Sequence, residues 1–311
     1  MLVIKGLHSR ELLRIKKSVV TLGVFDGVHL GHQKILKQAV SSARKIKTLS
    51  IALTFETHPR KTTHRKAPPI LTTMKKKAEL IAATGIDVLV VVDFDKKFAS
   101  MTAEAFIEKV LVGQLKIKKA IIGHDYRFGK GKTGDEKLLQ TEGRKYGFTA
   151  ASVSAKRCCG GRIMSSTEIR KAVMSGDMKK AERMIGRKYS ITGEVIHGDS
   201  RGSLLGFPTA NIDVHNEVIP VEGVYAVGVV VSGRRYGGVC NISRPTFDKK
   251  NNLIPEIFIF NFKKRIYGKE IEVFFVKKIR ESIRFHKVED LVLRIEKDII
   301  VAKKLLKNRI D

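Results

Sequence analysis

The periodicity of the chain changes once, near Gly186, and that change limits the fold more than any other feature. Before it, buried-type apolar runs at Val19 to Phe25, Leu49 to Phe55, Ile86 to Val92 and Lys119 to Gly123 alternate with helix-period segments. In one of these, Ile35, Leu36, Ala39, Val40, Ala43 and Ile46 recur at helical spacing. Thr73 and Thr102 stand where caps would open helices ending at Gly85 and near Gly113. This βαβ alternation predicts a parallel sheet covered by helices. Ser165 and Glu168 have capping-box spacing, which predicts a helix from about Ser166 to Gly176, with a shorter one from Asp177 to Gly186. Beyond Gly186 strand patterns follow, at Ser190 to His197, Val224 to Val231, Arg235 to Ile242, Glu256 to Phe262 and Ile271 to Val276. Their spacing predicts a small β-barrel, and Val288, Leu291, Ile295 and Ile299 predict one apolar face of a final helix packed on it. An α/β domain over residues 1–186 and a barrel domain over 187–311 are expected.

Composition narrows the function classes. With 60 Lys+Arg against 31 Asp+Glu the net charge is +29, but 43% apolar residues exclude a disordered polycation. The run Ile86 to Val92 is far shorter than the roughly 20 residues of a membrane span, and the N-terminus has no signal-type stretch. A soluble, cytoplasmic protein is expected. Cys158, Cys159 and Cys240 fit neither a disulfide framework nor a zinc site, and are read as reduced thiols without metal. The charge is compatible with any anionic partner. The clusters Arg60 to Lys66 and Lys75 to Lys77 are short, and no aromatic-interleaved RNA-binding stripe appears. Nucleic-acid binding therefore ranks below a solvated basic surface, and a homo-oligomer is left open.

Two patterns in the first half speak of phosphate. Leu22-Gly23-Val24-Phe25-Asp26-Gly27-Val28-His29-Leu30-Gly31-His32 follows the first strand and opens the first helix. Helix N-termini favour anions, and His29 and His32, one turn apart, can donate to charge growing on a phosphoryl group. Gly23, Phe25, Asp26 and Gly31 belong to the same candidate ATP site, with the glycines allowing close approach to the backbone. Further on, Ser165, Ser166 and Thr167 at a helix start, with Arg170 one turn later, can hold a triphosphate. An ordinary N-cap with a surface arginine is the competing reading.

These motifs resemble the adenylyltransferase module of the prokaryotic bifunctional riboflavin kinase/FAD synthetases, within the H-x-G-H nucleotidylyl transferases. Thr54-Phe55-Glu56-Thr57-His58-Pro59 resembles that family's F-x-P-H-P loop, and Gly123-His124-Asp125-Tyr126-Arg127-Phe128-Gly129 its G-x-D-F-x-F-G segment. The resemblance implies a Rossmann-like fold and flavin-side roles for Phe55, His58, Pro59, Asp125 and Phe128. Thr57 stands where Pro is usual, and Lys132 where Arg is common.

In the second half, Gly198 to Asn211 combines a glycine-rich loop with Thr and Asn, which offers backbone donors for phosphate and hard oxygens for a metal. The run Arg201-Gly202-Ser203-Leu204-Leu205-Gly206-Phe207-Pro208-Thr209-Ala210-Asn211 resembles the riboflavin kinase loop. That likeness implies ATP contacts at Arg201, Gly206 and Pro208, with Thr209 and Asn211 on Mg²⁺. Gly223-Val224-Tyr225-Ala226, Gly238 to Ile242 and Pro245-Thr246-Phe247 resemble further kinase segments, and Glu256 to Phe262 resembles the strand whose Glu is the family's general base. A carboxylate suits that task. Phe258, Asn261, Ser243 and Ser282 depart from the pattern. The expected activity is phosphorylation of riboflavin to FMN and adenylylation of FMN to FAD, with ATP, riboflavin and FMN as substrates and Mg²⁺ required. A chain retaining one activity, one using another nucleotidylyl acceptor, and a basic nucleic-acid-binding protein are the alternatives.

Overall fold

The structure, a computed structural model, describes residues 1–59, 62, 67–158, 161–198, 202, 205–215, 217–244 and 253–307. Its chain forms two compact units, Met1–Ser165 and Ser166–Asp311.

In the first unit, strands β1 (Leu2–Lys5), β2 (Ser18–Leu22), β3 (Leu49–Phe55), β4 (Val88–Val92), β5 (Ile117–Gly123) and β6 (Thr149–Val153) form one sheet in the order β1-β4-β3-β2-β5-β6. Every pairing in it is parallel. Such a sheet must bury both faces. Val20, Leu22, Leu53, Val90 and Ile122 face one apolar cluster, and Val19, Ala52, Leu89, Val91 and Ile121 face another. Helix α1 (Leu30–Lys45) covers the second face with Leu36, Ala39, Val40 and Ala43. Helix α2 (Met74–Ala82), capped by the Thr73 hydroxyl on the Lys76 N–H at 3.2 Å, packs on the same side through Ile81. Residues Phe106–Gln114 and α3 (Glu136–Tyr146) cover the first face through Phe106, Ile107, Val110 and Leu139.

The sequence reading left out β1, α3 and β6, and it carried β2 three residues too far, into the loop at Gly23 to Phe25. The helix expected after Thr102 is π-helical over Phe106–Gln114.

The second unit begins with α4 (Ser166–Met174) and α5 (Met178–Ile185), the latter stopped by left-handed Gly186 at φ 81°. The change of texture at Arg187 groups both helices with the first half. In the structure α5 packs on the barrel strands β7 (Tyr189–Ile196) and β12 (Glu270–Arg280), burying Met178, Ala181, Met184 and Ile185. The remaining strands are β8 (Thr209–Val214), β9 (Gly223–Val231), β10 (Arg234–Ser243) and β11 (Ile254–Ile259), and the barrel closes in the order β10-β11-β8-β7-β12-β9. The Thr209 to Asn211 end of the glycine-rich run opens β8, a sixth strand.

Helix α6 (Val288–Leu306) lies on β9, β10 and β12. Its packed stripe continues the expected face, with Leu291, Ile295 and Ile299 half-buried and Asp298, Ala302 and Leu306 buried, while Val288 in the first turn is 55% exposed. Asp298 is pinned by Arg280 of β12, whose Nε donates to it at 2.8 Å. Cys158 and Cys240 are free thiols; Cys159 lies outside the described residues, as do Arg201 and Pro245-Thr246-Phe247.

Candidate active sites

β2 is flanked by β3 and β5, so the loop after it, Gly23 to His29, lies where the strand order reverses, the usual place for a ligand in an open parallel sheet. Phe25, Gly27 and Val28 all have positive φ, at 49°, 80° and 38°. For Phe and Val this is strained backbone, of the kind concentrated at functional sites. Gly23 is required by crowding: a Cβ there would come 2.9 Å from the Phe25 ring. The Phe25 ring is in the core and meets His32 edge-on at 5.3 Å. Asp26 is also buried, and its carboxylate accepts from the Leu71 N–H at 2.9 Å and the Thr72 N–H at 3.3 Å. The Thr72 hydroxyl in turn accepts from the Gly27 N–H at 3.1 Å. Phe25 and Asp26, expected at the nucleotide, are buried and set the shape of the loop.

His29 caps α1. Its Nδ1 accepts from the N–H groups of Gly31 at 3.1 Å and His32 at 3.3 Å. Two consequences follow. Those backbone donors, expected to meet phosphate, are already engaged. An Nδ1 that accepts also places the neutral ring's proton on Nε2, which makes Nε2–H the donor that His29 can offer. His32 stacks on it at 3.6 Å between ring centroids with 22° between planes. Burial, then the neighbouring His29 and Lys77, hold His32 well below the usual imidazole range. At neutral pH His32 is therefore uncharged. A Cβ on Gly31 would press on the His29 ring at 3.0 Å. The Met164 carbonyl comes within 3.9 Å of that same point.

The flavin-side candidates divide by exposure. Phe55 and Phe128 are buried and joined edge to edge by Phe94, Phe98 and Phe106. Their rings are core that supports a surface. His58 and Pro59 are half-buried, Asp125 is exposed, and the departures Thr57 and Lys132 are exposed as well. Lys132 takes φ 60° in a turn after Gly129.

In the second unit, Ser166 and Thr167 form the first turn of α4, with Arg170 one turn on. Thr167 is exposed, while Ser165, Ser166 and Arg170 are half-buried; Ile169 is the buried residue between them.

The barrel builds its own cluster. In the β8–β11 ladder Asn211 lies opposite Glu256 and Thr209 opposite Phe258. Strand alternation therefore puts Thr209, Asn211, Glu256 and Phe258 on one face. The Thr209 hydroxyl donates to Glu256 Oε1 at 2.6 Å. Of the described loop residues, Gly202 lies against this face: the Phe207 N–H donates to its carbonyl at 2.8 Å, and a Cβ on it would lie 3.1 Å from the Thr209 hydroxyl. A Cβ on Gly198 would collide with the Asn211 amide. Gly206, at φ 85°, and Pro208 are exposed on the loop. Phe258, a departure from the family strand, meets Phe207 edge-on at 5.7 Å, so an aromatic pair props the loop. Asn261 turns the chain at φ 54°, a conformation that Asn tolerates. Ser282 is exposed, and Ser243 accepts from the Asn241 amide at 3.4 Å. Sequence reasoning missed Lys77 and Thr72; nothing in the spacing of either signals its place beside the loop.

Known proteins repeat this organisation. The family model for FAD synthetase matches residues 13–168, and that for riboflavin kinase matches residues 185–306. A Haemophilus influenzae protein named bifunctional riboflavin kinase/FMN adenylyltransferase is 39% identical over 306 residues, 97% of this chain and 98% of its own length. The Bacillus subtilis protein of that name is 38% identical over 94% of both chains. A solved structure from Streptococcus pneumoniae, described as a macrolide-efflux protein, is 29% identical with a TM-score of 0.87, covering 97% of this chain and 99% of its own. Among the described residues here, no helix is long and apolar enough to cross a membrane. With both family models matched in order, and relatives alike from end to end, the chain belongs to the bifunctional riboflavin kinase/FMN adenylyltransferase family.

Proposed function

We propose that the chain makes FAD from riboflavin in two ATP-dependent steps, with residues 187–311 forming FMN and residues 1–186 adenylylating it. The observation that carries the reading is the neutral, stacked His29–His32 pair at the N-terminus of α1, in a chain whose other half sets Glu256 against Thr209.

In the kinase step Glu256 accepts the proton of the terminal ribityl hydroxyl as its oxygen attacks the γ-phosphorus, and ADP leaves. Arg201, Gly206 and Pro208 bind the nucleotide. The donor set fits Mg²⁺: Thr209 and Asn211 are neutral hard oxygens on one strand face, the few protein ligands this ion takes beside phosphates. When bound, Mg²⁺ neutralises charge on the transferring phosphates. The proton of Thr209 is directed to Glu256, which leaves the hydroxyl's lone pairs for the metal.

In the adenylyl step an FMN phosphate oxygen attacks the α-phosphorus and pyrophosphate leaves, without a covalent enzyme intermediate. His29 Nε2–H and His32 donate to the oxygens on which charge builds, while Gly23, Phe25, Asp26 and Gly31 fix the loop that carries them. Ser165, Ser166, Thr167 and Arg170 hold the departing phosphates. His58, Pro59 and Asp125 meet the flavin, with Phe55 and Phe128 behind them. We place the enzyme in the cytoplasm, acting on small molecules. Incubation with riboflavin, ATP and Mg²⁺, resolved by chromatography, should yield FMN and then FAD. No conversion of either flavin would overturn the reading.

A further inference from the structure

Lys77 is only 6% exposed, and burial lowers the pKa of its amine against the opposing pull of Asp26 and Glu56. It lies in the first half of α2, the helix whose approach, Leu71 and Thr72, is fastened to Asp26 of the motif loop. The charges that act on it are Asp26 and Glu56, and its own charge acts on His32. Neither carboxylate is within ion-pairing distance, and among the described residues the ammonium has no hydrogen-bond partner. Asp26 is turned to the backbone of Leu71 and Thr72, and Glu56 is exposed. Burying an unpaired cation is costly, and such groups cluster where a ligand completes them. Around Lys77 the neighbouring chemistry is of one kind: the His29–His32 pair and the positive end of α1 all suit an anion.

We infer that the Lys77 ammonium binds a phosphate oxygen of an adenylyl-transfer substrate, ATP or FMN, beside the His29–His32 pair. The inference rests on the first half being an adenylyltransferase. Lysine suits the place because a point charge on a flexible stem can follow a phosphate oxygen through reaction. Asp26 holds the helix that delivers it.

The test is Lys77→Met with Lys77→Arg, both as full-length protein, assayed for FMN to FAD at varied ATP and at varied FMN, with riboflavin phosphorylation measured in the same preparations. The expected result is a rise of about ten- to hundredfold in the KM of one substrate, the weight of a charged hydrogen bond. Lys77→Arg recovers most of it, and riboflavin phosphorylation stays within about twofold. If the KM for ATP moves, the nucleotide is the ligand; if the KM for FMN moves, the flavin phosphate is. Unchanged KM for both substrates, or a fall in kcat alone that Arg does not restore and that accompanies a lower unfolding temperature, would overturn the inference. His29→Ala separates the two claims: loss of FAD formation there, with Lys77→Met silent, removes Lys77 and leaves the adenylyltransferase standing.

Discussion

His29 has two separable tasks, and two substitutions divide them. Its Nδ1 caps α1 by accepting from Gly31 and His32, while its Nε2–H is the proposed phosphate donor. In His29→Ala both first-turn N–H groups lose their acceptor in a buried place, a loss of about 1–2 kcal/mol. In His29→Asn the amide oxygen caps almost as well, so stability returns to within a few tenths of a kcal/mol of the wild type (about 0.3). For a unit the size of Met1–Ser165 these energies correspond to a fall of about 2–8 °C in unfolding temperature for Ala and about 1 °C for Asn. Both variants lack the Nε2 donor and should lose about 10²–10³ in kcat for FAD formation. The chain has no Trp, so unfolding is followed by calorimetry, and FAD by chromatography with FMN supplied. If His29→Asn made FAD within about tenfold of the wild-type rate, the imidazole would be a helix cap and nothing more. If His29→Ala were as stable as the wild type, the Nδ1 cap would be wrong.

The pKa of His32 in the folded chain lies below its unfolded value of 6.5, so as pH falls through 6.5 the unfolded chain takes up a proton that the folded chain refuses. The first unit should therefore lose up to about 1.4 kcal/mol of stability per pH unit below that point, and His32→Asn should remove this slope; an unchanged slope in calorimetric scans would contradict it. Glu256→Gln should cut FMN formation at least about a hundredfold while FMN to FAD stays within about twofold, and parallel loss of both steps would point to misfolding. Asp298→Ala leaves Arg280 without its buried partner and should destabilise the barrel unit by about 3 kcal/mol, seen as faster hydrogen exchange in α6; protection equal to wild type would refute that pinning.

How much of this the sequence made legible depended on where each signal lay. β2, β3 and β4 are wholly or almost wholly buried runs, and α1 carries an uninterrupted apolar stripe, so pattern alone located them. β1 has a single buried residue and β6 is built from half-buried small residues, so neither stands out from a loop. α3 is hidden by its polarity, since Leu139 and Gly143 are its only buried residues. The His pair was readable because its ligand chemistry lies within four residues of chain. The role of Asp26 was not, because its acceptor geometry is completed 45 residues away at Leu71. Lys77 was read as part of a solvated run with Lys75 and Lys76, yet Lys75 is exposed and Lys77 is not. A turn of helix sorted three identical letters into three environments. Glu256 and Thr209 were found by likeness to a family strand and loop, but only the barrel register puts them in contact.

The two sheets differ in what they offer to a passing strand. Each barrel strand is hydrogen-bonded on both sides, so the closed cylinder has no template for self-association. The open sheet of the first unit ends at β1 and β6. β1 is short and carries Leu2 and Val3 at 48% and 42% exposure, with Lys5 as its charged gatekeeper. Among the described residues, the free strand edges of the folded chain are thus residues 2–5 and 149–153. Within the barrel, the loss of any one strand would create two sticky edges at once, whereas fraying of β1 would bare one, the apolar edge of β4.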